Sequence, residues 1–334
     1  MSLDLGKILE NQLLDRWGFP RHPAQLNGLH EADAEILPLE NDEFLAVTID
    51  TLSEEIRAGL YQEPETIGWV AVAASLSDLA AVGATPTGIL LSATLPDESW
   101  QAGIAEGARA ACAALGTFVL GGDTNFGPPS ITCCALGRIK GKPLTRKGAK
   151  PGDLLFASGR MGQGASLAAA ALFGTPLFSE KQFRPIPRIQ KASLLAPHAS
   201  LCMDTSDGLI STLDQLMRLN GIGFEVDLPL ADLLEPVSLQ IARSMGIPAI
   251  TMLAAIHGEF ELVFTVPPEH TAAFEAISSN FIRLGTVTSE KILRFGEKSI
   301  DSAKSAKIRN LLDEAGGEPQ RYFAALLENL RAFE

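Results

Sequence analysis

The sequence predicts an α/β protein of two domains, an N-terminal mixed sheet with helices on one face and a C-terminal α/β domain. Three observations carry this. The chain of 334 residues exceeds one ordinary domain and divides into two of roughly 150 residues each. Short β-rich runs alternate with longer helical patterns along its length, the layout of layered α/β folds. Between 140 and 153 the chain gathers Gly141, Pro143, Gly148, Pro151 and Gly152, after which the strand and helix pattern restarts. Domains are therefore expected at 1–145 and 146–334.

Taken in order, Leu5 to Trp17 has a helical pattern stopped by Gly18 and Pro20. A polar loop carrying Gly28 to Ala34 follows, and Glu43 to Asp50 is a strand ending in an acid. Ile67 to Val82 is a helix with Val72, Leu76, Leu79 and Ala80 on one face. Its other face holds Ala71, Ala74, Asp78 and Ala81, so Asp78 projects from methyl groups instead of the charged mixture of a solvated side. Something must pack closely there. A strand at Gly88–Leu95, a helix at Asp97–Leu115 and a strand at Ile131–Ile139 follow. Between the last two, the run Gly116 to Leu120 leads into Gly121-Gly122-Asp123-Thr124. We expect a buried strand here, delivering the Asp123 carboxylate at its C-terminal end, where α/β proteins place chemistry.

In the second half, strand Leu154–Ser158 turns through Gly159 to Gly164 into an Ala-rich helix. A run interrupted by Pro185 and Pro187 precedes a helix ending near Pro197. Strand Ser200–Met203 delivers Asp204-Thr205-Ser206-Asp207-Gly208 to the helix Leu209–Leu219. Strands at Gly223–Leu228, Phe260–Val266 and Ile282–Val287 and an amphipathic helix at Gln320–Phe333 complete the reading.

Composition narrows the function. A formal charge of −13 argues against nucleic acid as the main partner, which requires basic stripes to release counterions. Cys112, Cys133, Cys134 and Cys202 form no CxxC pair and are expected as reduced core thiols of a soluble, cytoplasmic protein. The adjacent pair should point to opposite faces of its strand. No apolar run approaches the roughly 18 residues of a membrane span, and the five histidines lack zinc-ligand spacing.

What remains is a set of acids. Asp33, Asp50, Asp78, Asp123, Asp204 and Asp207 stand at strand ends, at a helix start or on a small-residue helix face. Singly, each has a plain alternative as a turn or N-cap residue. If they converge they need counter-charge, because two carboxylates about 4 Å apart repel by roughly 4 kcal/mol at an effective dielectric near 20. Lysine and arginine are absent from the motifs themselves, so hard divalent cations with all-oxygen ligation, Mg²⁺ above zinc, are the expected partners, bridging to nucleotide phosphates. The usual nucleotide loops are missing. Gly137 to Pro143 fails the Walker A spacing, and Gly159 to Gly164 has G-x-x-G-x-G spacing instead of the dinucleotide fingerprint.

The order and wording of these motifs resemble the aminoimidazole ribonucleotide synthetase-like superfamily and, within it, the thiamine-monophosphate kinases. The residues that carry the resemblance span most of the chain. They are Asp33-Ala34, Val47-Thr48-Ile49-Asp50, Ile67-Gly68-Trp69 with Leu76-Ser77-Asp78-Leu79-Ala80-Ala81-Val82-Gly83, and Gly121-Gly122-Asp123-Thr124. They continue with Arg146 to Asp153, Asp204-Thr205-Ser206-Asp207-Gly208-Leu209 and Gly258-Glu259-Phe260-Glu261-Leu262.

The resemblance implies an N-terminal sheet that joins a partner's in a homodimer, with the C-terminal domain closing the site. It implies several Mg²⁺ ions, with ATP as co-substrate, held by the acids Asp33, Asp50, Asp78, Asp123, Asp204 and Asp207. Thr48, Gly121, Gly122, Arg146 and Ser206 match nucleotide positions, Asp207 and Arg146 catalytic ones, and Arg57 and Glu259 substrate positions. The reaction implied is transfer from ATP to thiamine monophosphate.

The departures cluster on the acceptor side and leave the acceptor open. Ile49 replaces a hydroxyl residue beside the metal, Arg57 replaces a histidine, Glu259 is followed directly by Phe260 where Asp-Tyr is usual, and Gln320 to Phe323 lacks the usual aromatic pattern. Two alternatives remain at this point: a related enzyme activating an amide oxygen with ATP for cyclisation or dehydration, and a non-catalytic nucleotide-binding dimer.

Overall fold

A computed structural model describes residues 4–18, 20–255, 258–277 and 280–333; His257 falls outside them. The first half runs α1 (Leu9–Trp17), β1 (Glu35–Pro38), β2 (Glu43–Thr51), α2 (Ser53–Arg57), α3 (Pro64–Ala81), β3 (Thr85–Leu95), α4 (Glu98–Leu115), β4 (Val119–Phe126) and β5 (Ser130–Lys140). Its strands form a five-stranded mixed sheet in the order β1-β2-β5-β3-β4, in which only β3 and β4 pair in parallel. The expected strands and long helices are present. Strand β1 was not foreseen, because four residues ending in Pro38 show too little alternation to be read as a strand.

The second half runs β6 (Leu154–Ala157), α5 (Gln163–Phe173), α6 (Ile189–Leu195), β7 (Leu201–Asp204), α7 (Leu209–Asn220), β8 (Gly223–Val226), α8 (Leu230–Leu233), α9 (Pro236–Met245) and α10 (Thr251–Ala254). It continues with β9 (Leu262–Val266), α11 (Pro268–Ile277), β10 (Ile282–Thr288), β11 (Ile292–Phe295), β12 (Lys298–Asp301), α12 (Ser302–Glu314) and α13 (Pro319–Leu330). These strands form a seven-stranded sheet ordered β12-β11-β8-β10-β6-β9-β7.

Helix α3 holds the two halves together. It packs on β2 and β5 of the first sheet, on α4, and on β7 and α6 of the second half. Being apolar almost all round, it behaves as an interior helix. Its approach to α4 is so close that a Cβ on Gly68 would lie 2.2 Å from the Ile104 carbonyl oxygen, and one on Gly107 would lie 1.9 Å from that of Glu65. Only glycine fits at those two crossings. One apolar core runs from Ile36, Ile67 and Leu76 of the first half to Leu213, Val263 and Leu284 of the second.

The faces of the first sheet differ. Cys133 is fully buried against the helices while Cys134 is half-exposed on the other face, as period-two alternation requires. All four cysteines are free. The expectation of a buried strand at 116–120 is corrected. Strand β4 begins at Val119, contains Gly121 to Thr124 within it, and is exposed along its whole length. It is the last strand of its sheet, bonded to β3 alone among the described residues, and none of those residues covers it. No helix among the described residues is long and apolar enough to cross a membrane.

Candidate active site

Acids reach one place from four elements. Asp33 sits in the loop before β1, Asp50 near the end of β2, Asp78 one turn from the end of α3, and Asp204 at the end of β7. Because α3 packs against both β2 and β7, carboxylate oxygens of Asp33, Asp78 and Asp204 all lie within 4.8 Å of one another. Asp207 follows in the turn before α7. That helix is capped by Gly208 without a side-chain bond, so neither Ser206 nor Asp207 is spent as an N-cap.

The cluster is held by hydroxyl groups. Thr48 on β2 donates to Asp78, Ser77 on α3 donates to Asp204 at 2.7 Å, and the Ser206 hydroxyl donates to Asp204 at 3.1 Å. One cation enters: Arg146 Nη2 donates to Asp33 Oδ1 at 3.0 Å, with the Asp33 side chain wholly enclosed. The acid-bearing motifs themselves contain no lysine or arginine; this counter-charge comes from outside them, at a position the family resemblance assigns to the nucleotide.

A single guanidinium does not balance the set. Burial pushes Asp78 well above the usual carboxylate range, with Asp50, Asp204 and Asp33 adding repulsion. Burial and then Asp33 raise Asp204 to about 7, and burial and then Glu10 raise Asp207 to about 6. Asp50 is raised too, first by burial. Meanwhile Asp33 Oδ2, Asp50 Oδ2 and Arg146 Nε are enclosed and have no hydrogen-bond partner. Acceptors left bare in an acidic, all-oxygen cage fit a hard divalent cation, and a bare guanidinium N–H beside them fits an anionic oxygen. The donor set contains no sulfur or imidazole, which suits Mg²⁺ and not zinc.

Other expected site residues lie elsewhere. Across the paired strands Asp50, Cys133, Leu91 and Gly122 stand side by side, as do Ser92 and Asp123 one position on. Asp50 therefore belongs to the helix-covered face and Asp123 to the open one. Asp123 is exposed and accepts from Asn125 Nδ2 at 2.9 Å. Gly121 is exposed beside it, and a Cβ on Gly122 would lie 1.9 Å from the Leu91 carbonyl oxygen, so the neighbouring strand by itself requires that glycine. Ile49 also faces the open side, 67% exposed; in this chain it takes no ligand away from the Asp33, Asp78 and Asp204 cluster. Arg57 is an exposed residue of α2 in an i,i+3 pair with Glu54 at 3.5 Å.

Glu259 is committed structurally. Its carboxylate accepts from the backbone N–H groups of Gly162, Gln163, Gly164 and Ala165 at 2.7, 3.1, 3.0 and 3.4 Å, filling the anion site at the start of α5. Burial outweighs these donors and raises it to about 7. It also lines a polar cleft with Arg160, Arg184, Arg188 and Glu261. Those arginines were missed in the sequence, although Arg184 and Arg188 bracket the stiff Pro185-Ile186-Pro187 run, which fixes two cations in place. Glu55 was missed as well: it is raised to about 7, chiefly by burial, and its Oε2 has no partner.

Comparison with known proteins places this architecture. Residues 31–139 match the family described as AIR synthase related protein, N-terminal domain. A thiamine-monophosphate kinase from Halobacterium salinarum is 35% identical over 252 residues, covering 73% of this chain and 84% of that protein. The chain belongs to the thiamine-monophosphate kinase family. A crystal structure from Thermus thermophilus superposes with a TM-score of 0.75 at 31% identity, covering 89% of this chain and 99% of that one. The thiamine-monophosphate kinase of Stenotrophomonas maltophilia superposes with a TM-score of 0.68 at 26% identity, covering 90% and 99%. The two-sheet α/β architecture is thus that of the thiamine-monophosphate kinases.

Proposed function

We propose that this protein transfers a phosphoryl group from ATP to thiamine monophosphate, giving thiamine diphosphate and ADP. The observation that carries this is the enclosed carboxylate cage with bare oxygens beside the bare Arg146 Nε, in a chain 35% identical to a thiamine-monophosphate kinase. Asp33, Asp50, Asp78, Asp204 and Asp207 hold the metal ions. Bound Mg²⁺ supplies charge neutralisation on the nucleotide phosphates. Arg146, held by Asp33, keeps an Nε–H without a partner, and its charge would offset that which builds on the transferred group. Thr48 and Ser206 fix the carboxylates that bind, and the nucleotide takes the space they border; Gly121 and Gly122, apart from it on the exposed strand β4, are nucleotide positions by the family resemblance alone. On the acceptor side, Glu259 fixes the wall of the cleft whose arginines suit a phosphate-bearing substrate, while Arg57, exposed on α2, is a substrate position by the family resemblance alone.

The cage and the unpartnered Arg146 Nε–H favour a catalyst over a passive nucleotide-binding dimer. The identity to named kinases favours phosphoryl transfer over amide-oxygen activation. We infer domains at 1–145 and 146–334 and a homodimer through β4, whose open edge and exposed Phe118, Val119, Leu120 and Phe126 suit pairing with a second copy. The test is incubation of the purified protein with ATP, Mg²⁺ and thiamine monophosphate, with products separated by chromatography. Thiamine diphosphate forming only when all three are present is expected; its absence would overturn the assignment.

A further inference from the structure

The turn bearing Asp204, Ser206 and Asp207 and the segment bearing Glu259 are joined by one side chain. Strands β7 and β9 pair with Asp204 opposite Leu262, so the next step of the ladder would set Thr205 opposite Glu261. That step is not made by backbone alone. Phe260 has a φ of 54°, which takes the chain out of extended conformation just before β9, and Thr205 already turns toward α7, its carbonyl accepting from Gly208 N at 2.8 Å. The Thr205 hydroxyl bridges the gap. It accepts from the Glu261 N–H at 3.1 Å and donates to the Glu261 carbonyl at 3.0 Å.

Thr205 is fully buried, so no water substitutes for those bonds. The segment it grips is anchored on its far side as well. The Glu261 carboxylate takes Arg188 Nε at 2.9 Å to each oxygen and also the Ser158 hydroxyl, and the Glu259 carboxylate is tied to the start of α5. Neither anchor touches the acid cage.

We propose that Thr205 is a positioning residue for phosphoryl transfer, setting the distance between the carboxylates that hold metal and nucleotide and the arginine-lined cleft that receives a phosphorylated acceptor. This rests on the kinase reading above. Reacting atoms must be held to within a fraction of an ångström for in-line attack, and a hydroxyl that both donates and accepts is the smallest group able to clamp two backbone atoms at once. Valine has the same shape and neither capacity.

The test compares Thr205→Val and Thr205→Ser, assayed well below their melting temperatures with ATP, Mg²⁺ and thiamine monophosphate, together with Mn²⁺ titration of the nucleotide-free protein by calorimetry. The valine variant is expected to lose about 30-fold in kcat with the KM for ATP changed less than about 3-fold, and the serine variant to stay within about 3-fold of wild type. A role in stability alone would lower the melting temperature of the valine variant while leaving kcat of the folded enzyme intact, and that result overturns the proposal. So does a serine variant as slow as valine. If the wild type forms no product, the kinase assignment fails by itself and the titration decides: Mn²⁺ affinity weakened at least about 5-fold by valine and kept by serine supports the clamp, and equal affinities refute it. Should Thr205→Val not fold, Thr205→Ala, with space for a bridging water, takes its place under the same criteria.

Discussion

Strands β7 and β4 are both edge strands, and each brings an acid that the family resemblance assigns to metal. They meet opposite fates. All of Leu201–Asp204 is buried, because the chain between the two sheets lies along its free side, with Thr145 O accepting from Cys202 N at 2.9 Å, and because α3 packs against it. All of Val119–Phe126 is exposed. The lesson is that burial of an edge belongs to whatever distant segment covers it, and not to the strand's own residues. A strand of this exposure and apolarity is a template for pairing, so under the proposed homodimer the two acids would report different levels of organisation: Asp204 on the single chain, Asp123 on the assembly.

The largest expected effect separates those levels directly. Asp204→Asn should lower turnover about 1,000-fold or more, while the melting temperature of the metal-free protein stays level or rises because like-charge repulsion is relieved. Asp123→Asn should also lower turnover, but Asp123 lies away from the cage, so its loss should leave the metal-free melting temperature unchanged. Steady-state kinetics and calorimetric melting of both variants check the contrast; a fully active Asp123→Asn enzyme would remove that residue from the site.

A second, intermediate effect concerns the bare edge. Leu120→Lys places a charge on the exposed side of β4 and should shift the protein from dimer to monomer at micromolar concentration in light scattering, with a change in chain stability below about 1 kcal/mol. A wild-type monomer, or a variant that stays dimeric, would break the comparison by showing that the edge is bare in solution.

The smallest effect is a pH slope. Asp204 and Glu55, each raised to about 7, and Asp207, raised to about 6, all have folded-state values above the ordinary ones. The folded metal-free protein therefore binds more protons than the unfolded chain between roughly pH 4 and 7. Its stability must fall as pH rises through that window and level off above it. Saturating Mg²⁺, which favours the ionised acids, should flatten or reverse the slope. Glu55→Gln should raise the metal-free melting temperature by about 2–4 °C at pH 8 and barely change it at pH 5, as read by scanning calorimetry.

Much of this was legible in sequence for stated reasons. Asp50 at the end of 43–50 and Asp204 just after 200–203 stand out as acids at strand ends, and Asp78 as an acid on a face of methyl groups, out of place for a solvated residue. The register that puts Asp50 and Asp123 on opposite faces was not legible, since it depends on pairing through β5 and β3 from distant parts of the chain. Nor was the orientation of Ile49, which looked like damage to the metal site and faces the open side of the sheet. The bond pair at Thr205 was hidden for a different reason. It exists because Phe260 leaves extended conformation, and a phenylalanine gives no warning of a positive φ.

Helix α3 has a consequence for how this protein can vary. A helix lying on a surface accepts substitution with a rhythm of 3.6 residues, tolerant on the water side and strict on the core side. In α3 only Pro64, Glu65, Trp69 and Asp78 fall outside the buried set, and of these Trp69 Nε1 is tied to Pro185 O at 2.9 Å. Its neighbours change from sheet to helix to second domain around its circumference. A saturation scan should therefore show no rhythm from Thr66 to Ala81, only uniform intolerance. The stretch that carries Asp78 would then be nearly frozen for reasons of packing alone.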